Sequence, residues 1–305
     1  MVTSANVLLC GSNDDSGGTD ATFGKWFPAF SNLSARRKIR PTPFLGNKTM
    51  RYEEFEPTPD LSDVVNSHWA FSVPEDTPMP FDHRVIPDGM ISIAYIRSRY
   101  FEMMAFVGPR TEAHNPPTRP GDSVWGIRFQ PGVVKALFGV SPAALRDQVG
   151  DARAVFPEFA GPLFERLKTA DSPERAAGLF DEALQALVKT VGFTSDALLA
   201  FIRKIGETDE TVSSIAAAAG LSERQFRRRF IELVGLTPKE FARIRRLRRS
   251  AIKMVEDSLG WAAIAAESGY ADQAHLSRDY TRMMGVTPTS LAERLARIRH
   301  GEILS

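Results

Sequence analysis

The chain has 305 residues, 43% of them hydrophobic and 25% charged, and its 38 Lys and Arg nearly balance 37 Asp and Glu for a formal net charge of +1. That length allows about two domains with a sizeable core, and no apolar run reaches the roughly 18 residues needed to cross a membrane. No export signal opens the chain, and the single cysteine, Cys10, excludes an intramolecular disulfide and a cysteine-rich metal site, so a cytoplasmic protein with no membrane partner is expected.

Residues 1–45 read as a flexible leader, because GSNDDSGGTD is poor in apolar residues and rich in turn formers. From residue 46 to 206 the pattern is that of one domain, β-rich over 50–130 and helical over 131–206. The runs HWAFSV, MISIAYI, YFEMMAFVG and SVWGIRF are short and broken by Pro and Gly, and Ile91, Ile93 and Tyr95 alternate as in a half-buried strand. Such strands predict a β-sandwich or barrel, its edges managed by closure. Aromatic residues on these strands, Trp69, Phe71, Tyr95, Phe106, Trp125 and Phe129, suit either a core or an apolar ligand pocket, in which Arg84, Arg110 or Arg128 would fix an anionic or polar group.

Enzyme chemistry finds little support in this region. His68, His83 and His114 with Asp82, Asp88, Glu112 and Asp122 are scattered, without an HxH pair, an HExxH helix or a GxSxG elbow. No catalytic residue, metal site or cofactor is expected.

Helical patterns follow. Ser141-Pro142 and Ser172-Pro173 look like helix starts, and the stripe through Ala176, Leu179, Phe180, Ala183, Leu184 and Leu187 has helical spacing. These helices could close the barrel or form a dimer surface. Residues 206–209 break the pattern and would serve as a hinge before a third segment, 207–300.

That segment contains one pattern twice: IAAAAGLSERQFRRRFIELVGLTP from Ile215 and IAAESGYADQAHLSRDYTRMMGVTP from Ile264. Each copy is a small-residue helix, a glycine turn and a second helix, with Ser222 and Asp272 as N-caps, Gln225 completing a capping box, and Phe226 with Phe230, then Leu276 with Tyr280, facing inward. Helix, tight turn and basic or polar helix form a helix-turn-helix. From Arg224 to Lys253 there are 11 Lys or Arg against 2 Glu, a local net charge of +9 in a chain whose total is +1, which suits a polyanion. Between the copies, residues 238–257 read as one helix about 30 Å long, close to the roughly 34 Å between successive major grooves on one DNA face.

GLSERQFRRRF with GLTP, and GYADQAHLSRDY with GVTP, resemble the paired motif of the AraC/XylS family of bacterial transcription regulators. The resemblance implies a seven-helix domain in which Arg224, Arg227 and Arg228 of the first unit and Gln273, His275, Ser277 and Arg278 of the second contact bases, with Ala274 departing from the long polar residue of some relatives. Arg229, Lys253 and Arg282 would meet phosphates. WAFSVPED, HRVIPDG, GPRT and GIRFQPGVVKALFGVSPAALRD resemble the N-terminal domain of one subgroup, which implies a cupin-like sensory or dimerisation module.

The resulting expectation is an α+β multidomain protein: a cupin-like β-sandwich or barrel, a helical segment, then an all-α double helix-turn-helix domain. It would be a sequence-specific regulator, an activator by resemblance, with double-stranded promoter DNA, RNA polymerase, a homodimer partner and a small-molecule effector as its partners. An architectural DNA-binding protein and a DNA-repair enzyme fused to this reader remain alternatives; Cys10 is poorly placed for the latter.

Overall fold

The computed structural model describes residues 8–12, 38–39, 51–77, 79, 81–208, 210–256 and 260–291. Of the expected leader, Leu8–Ser12 (β1) and Lys38–Ile39 (β2) are strands, and the rest lies outside the described residues. Seven further strands follow in chain order: β3 (Arg51–Phe55), β4 (Val65–Ser72), β5 (Phe81–Val85), β6 (Ser92–Arg97), β7 (Glu102–Val107), β8 (Ser123–Phe129) and β9 (Val149–Asp151). β1 pairs with β5, and the others form one antiparallel sheet in the order β2-β3-β4-β8-β6-β7-β9.

That sheet is open, which overturns the expected sandwich or barrel. Its apolar face needs no closure because helices cover it. The helices of this half are α1 (Val133–Phe138), α2 (Ala152–Val155), α3 (Pro157–Leu167), α4 (Pro173–Val191) and α5 (Ala197–Lys204). Strand register puts Phe55, His68, Ala70, Ile93, Tyr95, Met104, Phe106, Trp125, Ile127 and Phe129 on one face. Tyr95 lies 5.8 Å from the Phe164 ring of α3, Phe106 6.3 Å from Phe156, and Phe129 5.6 Å from Phe138 of α1. An amphipathic helix buries its stripe here against the sheet, as a second sheet would have done.

Ser172 caps α4 by accepting from the Arg175 amide at 3.2 Å. Ser141 makes no such bond, and Pro142–Leu145 is a single 3-10 turn. The opposite face of the sheet carries Tyr52, Glu54, Ser67, Trp69, Phe71 and Arg128. Gly126 lies under Trp69 there; a Cβ at Gly126 would meet the indole at 2.5 Å.

The remaining helices are α6 (Val212–Ala218), α7 (Glu223–Val234), α8 (Pro238–Glu256), α9 (Trp261–Glu267) and α10 (Gln273–Met284). One buried apolar cluster runs from Phe55 to Leu291 through both halves of the chain. Gly89 shows how close they lie: its φ is +70°, and a Cβ would meet the Phe241 ring of α8 at 2.9 Å. No helix among the described residues is long and apolar enough to cross a membrane.

Candidate nucleic-acid interface

The first repeat folds as helix α6, a turn at Gly220 with φ +68°, and helix α7. Ser222 Oγ accepts from the Gln225 amide and Gln225 Oε1 from the Ser222 amide at 3.0 Å, so the capping box is complete. Phe226 and Phe230 are buried, and Phe230 meets Phe241 of α8 edge-on at 5.6 Å. With that stripe fixed, Arg224, Arg227, Arg228 and Arg229 all stand exposed. Arg227 pairs with Glu223 at 2.6 Å; such an exposed i,i+4 pair is worth only about 0.3–0.5 kcal/mol and would yield readily to a phosphate or base. Glu232 bonds Lys135 of α1, and Lys135, with Arg229 and Arg228 behind it, holds that carboxyl below its usual range.

The second repeat is built alike. Gly269 has φ +79°, and Asp272 accepts from the His275 amide at 2.6 Å to start α10. Leu276 and Tyr280 are fully buried, and the Tyr280 hydroxyl lies 3.0 Å from Ser250 Oγ of α8. Gln273, Ala274, Arg278 and Arg282 are exposed, and Ser277 and His275 are half-buried. The His275 ring stands edge-on to Tyr270 at 5.2 Å. Helix α8 joins the units through 19 residues, about 28 Å of rise. Residues 288–291 turn helical after Gly285, so α6 to α10 and this turn make six helical segments among the described residues from 207 on.

The +9 stretch is not all surface. Arg224, Arg227, Arg228, Arg229 and Lys239 are exposed, whereas the basic residues of α8 beyond Lys239 turn toward protein. Arg243 pairs with Asp279 of α10, Arg245 with Glu207, and Arg246 lies 5.3 Å over the Tyr270 ring. Arg248 is buried 3.9 Å from Glu54, Arg249 donates to the Gly206 carbonyl, and Lys253 meets Glu267 of α9 at 2.5 Å. The segment expected to act as a hinge is therefore held at Gly206 and Glu207 by α8. Lys253, expected at a phosphate, ties α8 to α9.

The residues expected to line a pocket do not converge. Tyr95 and Trp125 lie beneath α3 on the helix-covered face, while Trp69 and Arg128 lie on the other, because alternate strand residues point apart. Arg110 donates to the Asp147 carbonyl at 2.9 Å, and Arg84 to the Met284 carbonyl at the end of α10 at 2.8 Å. Arg128 sits in a buried polar cluster, its Nε 2.7 Å from Asp88 and its Nη1 3.1 Å from Glu54 and 2.9 Å from Ser67. Burial alone would lower Arg128, but Tyr52, Glu54 and Asp88 outweigh it and raise the guanidinium pKa, so the charge is kept. Burial, then Arg128, pushes Arg248 down.

The histidines are also engaged elsewhere. His68 Nε2 lies 2.6 Å from Asp181 of α4, His83 Nδ1 2.7 Å from Thr118, and His114 pairs with Val85 through its backbone. Among the described residues, no three His, Cys, Asp or Glu come together as metal ligands; the side chains of Cys10 and Asp82 lie outside the description.

Residues 215–294 match the family model described as Helix-turn-helix domain. The C-terminal part of this chain is a helix-turn-helix domain. Residues 53–151 match a second model, Domain of unknown function (DUF6597), which covers the open sheet from β3 to β9. A comparison with curated proteins gives no match. Among solved structures, the chain is similar to ToxT from Vibrio cholerae O395, with 12% identity over 82% of this chain and 99% of that one at a TM-score of 0.38. It is also similar to unsaturated fatty acid bound ToxT from Vibrio cholerae strain SCE256, with 14% identity, 81% and 96% coverage and a TM-score of 0.36. For the AraC-like transcriptional activator CuxR the figures are 12% identity, 65% and 80% coverage and a TM-score of 0.22. Likenesses at these TM-scores do not assign a function.

Sequence reasoning missed two residues of the helix-turn-helix domain, Asp279 and its partner Arg243. A signal existed: Asp279 falls three residues after Leu276, inside the apolar stripe, where the first repeat has the exposed Arg229.

Proposed function

We propose that this chain is a sequence-specific transcription regulator of the AraC/XylS type, an activator, that binds double-stranded promoter DNA with α7 and α10 in successive major grooves. The observation that carries this reading is the pairing of two helix-turn-helix units whose second helices each expose a polar or basic row on a buried apolar stripe. Arg224, Arg227 and Arg228 would read bases from α7, and Gln273, Ser277 and Arg278 from α10. Arginine can pair bidentately with guanine and glutamine with adenine. Arg229 and Arg282 would contact phosphate. The N-terminal domain would bias DNA binding, or contact with RNA polymerase, in response to a small molecule or a second copy of the chain, which requires two states of different affinity.

Arg228→Ala tests the assignment. It should cost about 1–3 kcal/mol on a specific duplex and relax base preference at one position, whereas Arg282→Ala should weaken all duplexes alike and reduce the salt dependence of binding. Gel-shift titrations on matched and scrambled duplexes at several salt concentrations distinguish the two. Equal weakening of every duplex by Arg228→Ala would remove it from base reading.

A further inference from the structure

The two reading helices are seated by different chemistry. Helix α7 is set by rings: Phe226 and Phe230 are 6.0 Å apart, and Phe230 meets Phe241 of α8 at 5.6 Å. Helix α10 instead carries a carboxylate in its buried stripe. Asp279 is fully buried, and its Oδ1 accepts from Arg243 Nε of α8 at 2.7 Å and from Nη2 of the same guanidinium. Arg243 is about one third exposed, so the ion pair reaches from solvent into the seam between the two helices. Tyr270, in the turn before α10, packs beside it between the Arg246 guanidinium at 5.3 Å and the His275 ring at 5.2 Å.

We infer that Asp279, held by Arg243, is the positioning residue that fixes the rotation of α10 about its own axis and so aims Gln273, Ser277 and Arg278 at DNA. This rests on the DNA-binding reading above. The reason is the cost of a buried, unpaired carboxylate, which is large enough that a helix would roll to hydrate it. Both donors of Arg243 converge on Oδ1, while Oδ2 is buried without a hydrogen-bond partner among the described residues, so a roll of α10 that took Oδ1 away from Arg243 would leave the whole carboxylate unpaired. A purely apolar stripe tolerates small rolls, since its contacts are non-directional. Arg278 directly precedes Asp279, so a roll that hydrates Asp279 swings Arg278 through the same angle. The pair therefore acts on the second half-site and leaves the first to the aromatic contacts of α7. His275, half-buried against Tyr270, belongs with this seat more than with the exposed row.

The test uses the full chain to select duplexes from a random-sequence pool. Wild type should return a motif of two blocks about one helical turn apart, and the block altered by Arg228→Ala is the one read by α7. Asp279→Asn, which keeps the shape and removes the charge, should keep that block, lose base preference in the other, and bind the wild-type duplex about tenfold more weakly or worse. Arg243→Met with Asp279→Leu separates aim from stability. Replacing a buried ion pair by apolar residues is commonly neutral or stabilising, so this double variant should melt within about 4 °C of wild type or above it and still lose the second block. Retention of both blocks by the double variant, or equal weakening of both blocks by Asp279→Asn, would overturn the positioning role. A wild-type chain that selects no motif would instead overturn the DNA-binding reading, and the positioning role with it.

Discussion

Burial, reinforced by Arg110, lowers the His114 pKa from 6.5 to about 4, which favours the neutral imidazole in the folded protein above that pH. In the unfolded chain the same imidazole protonates near 6.5, so between these values the unfolded state binds the extra proton. Stability from this residue is complete above pH 6.5 and is lost as the pH falls through 4, by about 3 kcal/mol in all. Urea unfolding of wild type and His114→Gln from pH 7.5 to 4.5 checks this, and the variant should show the flatter profile. At this scale the sequence was most legible where partners are near. Ser222 and Gln225, three apart, announce a capping box, and Asp272 announces an N-cap. It was least legible where the partner is remote: nothing local to Arg248 points to Glu54, and nothing local to Arg84 points to the end of α10. A count of charges cannot separate an arginine that faces solvent from one that faces a carboxylate.

Among elements, the alternation of Ile91, Ile93 and Tyr95 was enough to set which side of a strand is buried, but not what buries it. Closure into a barrel and cover by helices satisfy the same pattern, and here α3 and α4 supply the cover, which leaves the sheet open. The two units of the helix-turn-helix domain were legible because each is a local device of caps, glycine turns and i,i+4 apolar pairs. The seam between the sheet and α8 was not, because it depends on Arg248 of α8 meeting Glu54, itself paired with Arg128 beside Asp88, across long separations. That seam supports a prediction of its own. Arg128→Met takes the nearest cation from Glu54 and Asp88, leaving Glu54 to Tyr52 and the more distant Arg248, and should cost about 3–5 kcal/mol in urea unfolding; adding Glu54→Gln and Asp88→Asn should recover part of the loss. A cost below about 1 kcal/mol would show that the cluster contributes little.

For the molecule as a whole, the N-terminal half touches α7 and α10 at their C-terminal ends. Lys135 bonds Glu232 of α7, the Ala113 amide donates to the Met283 carbonyl at 2.7 Å, and Arg84 donates to that of Met284. A cation at a helix C-terminus is favoured by the helix dipole, which suits Lys135 and Arg84 to these positions. Helix α8 joins the two helix-turn-helix units, and the proposed entry of α7 and α10 into adjacent grooves on one side of a duplex depends on the spacing it sets. The most direct measurement is therefore affinity as a function of that spacing. With a selected two-block duplex, insertion of about 5 base pairs puts the blocks on opposite sides of the helix, and binding should weaken about tenfold or more. Unchanged affinity after that insertion would contradict the account, because a single rigid chain could not then be engaging both blocks at once.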